Sequence, residues 1–374
     1  MILMHRNIPV AKLHMDNGIP IGYEEIYSKE DLPLGTTSLY KQNETILLNK
    51  WYKSRAIPNL RVDLGRLCDV LGKEPAEMFY TNAGVSITDT YWFYEENSNV
   101  LWEDVNYHDN GFDPVFQSYY LDCIFKDGKT PDFTTDGIME KFWYISNDIP
   151  FLAKLDREYN NLLIANEVVY SKIASYHNIN VTPYYPGKTN DLLYCSCPCF
   201  VHDADHDFVT AMQVKHTDFS LSGEKLINYF CNNLGFQNEV KQMITLDCIL
   251  HNTDRHEKNF GYLIDSNKNC SFVPLFDNGF CLGANRTASD YVDKVNDFDM
   301  KILSGSRFDI LSKYGVFIDF DESYALQVIK DVYEYYGISE KQYEIAKAEI
   351  QFSTKILAQL KSEILVETEL DINI

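Results

Sequence analysis

The sequence predicts an α+β protein, on three observations. The chain has 374 residues, enough for two domains, or one two-part domain with additions, at ~100 to 200 residues each. Its middle reads strand, strand, helix, and its back half is mainly helical. Hydrophobic residues make up 45% and charged residues 24%, the balance of ordinary folded proteins, which excludes disordered, collagen-like and coiled-coil classes.

Taken in order, residues 1 to about 115 mix short extended pieces with two helical patterns, near Thr45 to Arg55 and Asn59 to Leu71, rich in Tyr and Trp. From about Asp132 the pattern changes. Lys141 to Ile145 and Pro150 to Leu155 read as strands, and Asn161 to His177 reads as a helix carrying Leu163, Val169, Ile173 and Ala174. An extended stretch, Leu192 to Val201, precedes a helix from Asn238 to His251 whose Val240, Met243, Ile244 and Cys248 recur at helical spacing. Two short strands, Asn259 to Ile264 and Ser271 to Phe276, flank the polar turn Asp265 to Asn269. From Asp321 the chain is helical, with Ser339 and Gln342 spaced as a capping box.

Lys and Arg total 33 against 55 Asp and Glu, a net charge of −22. That is the opposite of the basic footprint a phosphate backbone attracts, so no direct nucleic-acid contact is expected. No charged leader with an apolar stretch opens the chain, and no run of ~18 apolar residues occurs, so neither export nor a membrane span is expected. Nine cysteines without regular dense spacing suit free thiols in a reducing cytoplasm. Cys195, Cys197 and Cys199 alternate along an extended stretch without the C-x-x-C turn of zinc knuckles, and read as buried thiols despite nearby His202 and His206.

The chemistry concentrates in His251-Asn252-Thr253-Asp254-Arg255-His256-Glu257-Lys258-Asn259-Phe260-Gly261, a polar loop between an apolar helix and a strand. Asp254 and Asn259 stand five positions apart, the Asp-x-x-x-x-Asn spacing with which phosphoryl-transfer loops set a base beside an attacking hydroxyl and an amide oxygen on Mg²⁺. Asp277, in Phe276-Asp277-Asn278-Gly279, follows after one hairpin, which can return it to the same metal. Mg²⁺ takes oxygen ligands and needs few from the protein, so one Asn and one Asp suffice. A carboxylate of ordinary pKa is adequate as the base, because it accepts the proton late. Asp and Asn also form turns, but helix, hairpin and a third acid together favour chemistry. Lys154 on the apolar strand Phe151-Leu152-Ala153-Lys154-Leu155 is costly unless paired, and Glu167 on the next helix is its expected ion-pair partner. Thr134 to Lys141 is expected to form a turn between strands whose amides could cover phosphates, weakly, with only Gly137 to shape it.

The loop Asn252 to Phe260 and the motif Pro274-Leu275-Phe276-Asp277 resemble those of the HipA-like serine/threonine protein kinases, in particular the CtkA-like branch. The likeness runs from about Asp132 to the C-terminus, and more loosely through Met4 to Ala11 and Asp89 to Trp92. It implies a bilobal protein-kinase-like fold: a smaller β-containing N-lobe at 121–210, a mainly α-helical C-lobe at 211–374, and an extra N-terminal α/β domain at 1–120. It implies ATP and Mg²⁺ as cofactors and a protein Ser or Thr as acceptor. Asp254 would be the catalytic base, Asn259 and Asp277 the magnesium ligands, Lys154 the phosphate-binding lysine and Glu167 its partner. Gly137, Lys141 and His256 would join the nucleotide site, with Cys195 to Cys199 as the hinge near the adenine. The segment Thr134 to Lys141 lacks the double-glycine loop of the toxin branch, which leaves its phosphate contacts and any autophosphorylation there open. Toxin activity within a toxin–antitoxin system, with an antitoxin or regulatory partner, belongs to the same resemblance. A catalytically weak nucleotide-binding regulator and a small-molecule kinase share the constellation and stay as alternatives.

Overall fold

The structure is a computed structural model and describes residues 1–37, 41–96, 99–121, 128–189, 192–285 and 300–372. Strands β1 (Ile2–His5), β2 (Ile8–Asp16), β3 (Ile19–Ile26) and β4 (Tyr91–Tyr94) form an antiparallel sheet in the order β3-β2-β1-β4. Met4 pairs with Trp92 and His5 with Tyr91, so the two front stretches that carry the family resemblance are neighbours in space. The sequence predicts only short extended pieces here. All four residues of β1 are buried, and a strand covered on both faces lacks the alternation that marks one.

The second sheet holds β5 (Lys141–Ser146), β6 (Ile149–Lys154), β7 (Tyr185–Thr189) and β8 (Leu192–Pro198), in the order β5-β6-β8-β7. Between β6 and β7 the helix Leu162–Tyr176 is buried around most of its circumference, as expected of a helix packed between a sheet and other helices. A third sheet joins β9 (Asp207–Thr210), β10 (Gly261–Ile264) and β11 (Cys270–Phe272) in the order β11-β10-β9. Helices Glu224–Asn232, Gln237–Ile249, Arg307–Tyr314, Glu322–Tyr336 and Glu340–Ile372 make up most of the remainder. Together with the helix Leu162–Tyr176 they enclose the largest core, with Phe230, Met243, Leu246, Ile329 and Tyr333 at its centre.

Two further cores join the front of the chain to the second sheet. One packs Trp92 and Trp102 with Trp143 and Val201; the other packs Leu67, Met78 and Phe116 with Phe133, Phe142 and Ala153. The front segment is thus locked to β5 and β6 through shared apolar burial, the dominant favourable term in such association. His5 Nε2 lies 2.9 Å from Asp207 Oδ2, and Thr90 donates its amide and hydroxyl to Asp207 Oδ1 at 2.7 and 2.8 Å, which ties the front sheet to β9 as well.

One expectation is corrected. The segment Thr134 to Lys141 does not turn between two strands, because what precedes it is a single 3-10 turn, Pro131–Thr134. Thr130 caps that turn by accepting from the Asp132 amide, and Asp132 in turn accepts from the Trp143 amide at 2.8 Å. A buried carboxylate, rather than a strand, therefore sets the start of β5. Among the described residues no helix is long and apolar enough to cross a membrane.

Candidate active site

A single cleft of about 1360 Å³ is lined by Thr134 to Met139, Lys141, Lys154, Glu167, Cys197 to Phe200, Asp254, His256, Lys258, Asn259 and Asp277. Every candidate residue from the sequence therefore faces one space. Its volume exceeds the ~300 to 1,000 Å³ of a typical small-molecule pocket, leaving room for a second reactant beside a first.

Lys154 is the centre of its electrostatics. Its Nζ donates to Glu167 Oε1 at 2.5 Å and to Asp277 Oδ1 at 2.7 Å. Burial alone would strip the ammonium of its proton, but Asp277 and Glu167 hold it charged, well above the ordinary lysine range. Burial likewise opposes the charge on Asp277; the Lys154 and Lys141 ammoniums overcome this and hold its carboxyl well below the usual range. The Glu167 Oε2 accepts the Asn278 amide at 2.8 Å, so one carboxylate on the helix Leu162–Tyr176 grips both the strand lysine and the backbone beyond Asp277.

Lys141 and Lys154 are direct cross-strand partners in the β5–β6 register. Side chains at such positions share a face, and like charges placed there repel. Lys141 is 9% exposed and donates to the Asp136 carbonyl at 2.9 Å. Burial, with the neighbouring Arg61 and Lys154 cations, pushes it down to about 7. Gly137 has φ +100, a left-handed backbone that favours glycine where the loop passes over that ammonium.

The loop of Asp254 and Asn259 is held from beneath by Arg255, which is fully buried. Its Nε and Nη2 donate to the two carboxylate oxygens of Asp247 at 2.8 and 3.0 Å. Its Nη1 donates to the Asn259 and Phe276 carbonyls at 2.8 and 3.0 Å, and its Nη2 to Asn278 Oδ1 at 2.5 Å. A planar guanidinium suits this fork-like demand. Asp247, at the end of the helix Gln237–Ile249, is further satisfied by Tyr170 Oη and Asn252 Nδ2, each at 2.8 Å. Arg255 lies inside the motif read from the sequence, but its role there was not legible. Asp247 was missed altogether; an acid among Met243, Ile244 and Cys248 was the available signal.

Left-handed backbone recurs at the site in non-glycine residues: His251 at φ 51 and Asp277 at φ 56. Such conformations cost of order 1 to 3 kcal/mol and persist where surrounding contacts over-determine them. Gly279 allows the helix Leu162–Tyr176 to approach, since a Cβ there would lie 2.9 Å from the Leu163 carbonyl. Asn166 of that helix donates to the Gly279 and Cys281 carbonyls at 3.0 and 2.9 Å.

Two oxygens are left for a hard cation. Asp277 engages Lys154 through Oδ1 only, and Asn259 uses its Nδ2 on the Asp254 carbonyl at 3.3 Å. Asp277 Oδ2 and Asn259 Oδ1 therefore have no partner among the described residues. No group of three or more His, Cys, Asp or Glu suited to a metal ion occurs among them; a Mg²⁺ that keeps several waters asks for only one or two protein oxygens. Asp254 Oδ1 accepts from Lys301 Nζ, and Lys258 reaches Asp136 at 2.7 Å. His256 accepts the Lys258 amide at 3.2 Å through Nδ1. Burial pushes the Cys197 and Cys199 thiols up to about 12, which keeps them protonated and inert.

No family model and no curated protein sequence matches the chain. Solved structures do. A HipA chain from Shewanella oneidensis, solved in a toxin–antitoxin complex with HipB and operator DNA, is 12% identical, with 96% of each chain covered and a TM-score of 0.53. The Helicobacter pylori proinflammatory kinase CtkA is 16% identical over 62% of this chain and 92% of its own, with a TM-score of 0.50. The fold is that of the HipA-like kinases. At these identities the likeness is one of fold, and HipA matches it across nearly the whole length.

Proposed function

We propose that the protein transfers the γ-phosphoryl group of ATP to a Ser or Thr hydroxyl of another protein, within a bilobal HipA-like architecture. The observation that carries the reading is one continuous polar network. Arg255 fastens the loop of Asp254 and Asn259 to the backbone around Asp277, and Lys154 fastens Asp277 to Glu167. Two lysines opposite one another on adjacent strands are an arrangement that a polyphosphate would relieve.

In this reading Lys154 binds the nucleotide phosphates and Glu167 keeps it in place. Asn259 Oδ1 and Asp277 Oδ2 would hold Mg²⁺, which supplies neutralisation of the charge developing on the transferred group. Asp254 orients the acceptor hydroxyl and takes its proton. Lys141, Gly137 and the loop before β5 cover the phosphates, while Cys197 to Phe200 border the base. His256, in the same loop as Asp254, joins the nucleotide site, and Lys258 lines the cleft beside it.

The fold likeness to HipA, whose solved complex holds HipB, supports a regulatory or antitoxin-like protein partner for this chain and a place in a toxin–antitoxin system. The charge of −22 argues that any contact with DNA would be made by that partner. A second reading, a nucleotide-binding regulator with negligible transfer, draws on the ion pair between Lys301 and Asp254, which engages the base. Phosphosite mapping by mass spectrometry of the chain expressed as wild type and as Asp254→Ala tests both. Sites on itself or on co-purified proteins that vanish in the variant support transfer; an identical pattern in the two removes it.

A further inference from the structure

We propose that Arg61, outside the 141–198 sheet and outside the cleft, is a positioning residue for the nucleotide's phosphates, because it turns the backbone of the covering loop so that its amides face them. This rests on the nucleotide-binding reading above and adds the element that shapes the phosphate site.

Arg61 is 3% exposed. Its Nε donates to the Gly137 carbonyl at 2.6 Å, and its Nη2 donates to the Thr135 carbonyl at 2.5 Å and more weakly to that of Asp136 at 3.4 Å. The neighbouring Val62 amide donates to the Ile138 carbonyl at 2.9 Å. The Thr135, Gly137 and Ile138 carbonyls are thus turned toward residues 61 and 62, while the Asp136 carbonyl accepts chiefly from Lys141 at 2.9 Å. Across a planar trans peptide the carbonyl of one residue and the amide of the next point in opposite directions. Drawing the Thr135 and Gly137 carbonyls onto Arg61 therefore sends the amides of Asp136 and Ile138 the other way. Those two amides have no partner among the described residues, and the residues that carry them line the cleft while Arg61 does not.

A left-handed glycine between two such amides makes a concave, donor-lined stretch of backbone suited to an anion. Gly137 supplies it, at φ +100. The anion nearest to hand in the proposed reaction is the polyphosphate, opposite Lys141 and Lys154. The absence of a second glycine, which made this loop a poor phosphate cover by sequence, is offset by a guanidinium that imposes the carbonyl orientation from behind.

The test compares affinities for two ligands that differ only in phosphates. Titration calorimetry of wild type, Arg61→Lys and Arg61→Ala with adenosine and with a non-hydrolysable Mg-ATP analogue gives the ratio of the two affinities. Losing one amide–phosphate bond of about 1.5 to 3 kcal/mol predicts a ten- to hundredfold loss for the analogue, with adenosine unchanged. Lysine keeps the charge but not the fork, so Arg61→Lys should show the loss with its melting temperature near that of wild type, even if Arg61→Ala fails to fold. Parallel loss of both ligands, or no loss of either, in Arg61→Lys overturns the proposal and marks Arg61 as structural. Failure of wild type to bind the analogue more tightly than adenosine would instead overturn the nucleotide reading itself.

Discussion

Binding of Mg-ATP should draw a proton from solution, and Lys141 should be its destination. In the free protein burial and two neighbouring cations hold this lysine down to about 7, so at pH 8 it is roughly nine-tenths neutral. A polyphosphate placed against it favours the charged form and restores a pKa nearer the ordinary 10.5. Uptake of about 0.9 proton per nucleotide at pH 8 follows, and affinity should fall roughly fiftyfold between pH 7 and 9. The sign for the empty protein is fixed by the same linkage. The folded pKa lies below the unfolded one, so between about 7 and 10.5 the folded chain holds fewer protons, and its stability rises with pH across that window. Calorimetry in buffers of differing ionisation enthalpy at pH 8 measures the uptake directly, and Lys141→Met should abolish it. An identical buffer dependence in wild type and Lys141→Met would refute the reasoning.

The remaining expectations divide the site by role. Asp254→Ala should abolish phosphorylation while leaving Mg-ATP affinity within a few fold, whereas Asp277→Ala, which removes one of two metal oxygens and a partner of Lys154, should weaken Mg-dependent binding roughly ten- to hundredfold; calorimetry with and without Mg²⁺ separates the two, and equal affinities would defeat the assignment. Arg255→Met leaves Asp247 buried without its cation, so a loss of about 3 to 5 kcal/mol in chemical denaturation is expected, and a change below ~1 kcal/mol would show the network to be dispensable. Gly137→Ala places a Cβ on backbone held at φ +100; about 1 to 3 kcal/mol of strain should appear as a lower melting temperature. Elemental analysis should find no stoichiometric zinc, since Cys195, Cys197 and Cys199 are buried thiols.

What the sequence determined by itself is local. The strand pair that begins at Lys141, the helix Leu162–Tyr176 and the hairpin that separates Asn259 from Asp277 follow from apolar periodicity and turn chemistry, because those signals depend on neighbours a few positions away. The spacing of Asp254 and Asn259 was readable for the same reason, and so was the need of Lys154 for a carboxylate. Tertiary structure alone decided how those pieces meet. That Lys141 stands opposite Lys154 depends on strand register, and that Asp247 and Arg255 carry the loop of Asp254 and Asn259 depends on burial. That Arg61 reaches the 135–137 carbonyls joins residues 74 to 76 positions apart. Charged side chains look alike in a sequence whether solvated or buried, and only packing removes the water that would make them cheap. Hence the residues that line the cleft were largely legible, and those that hold them in place were not.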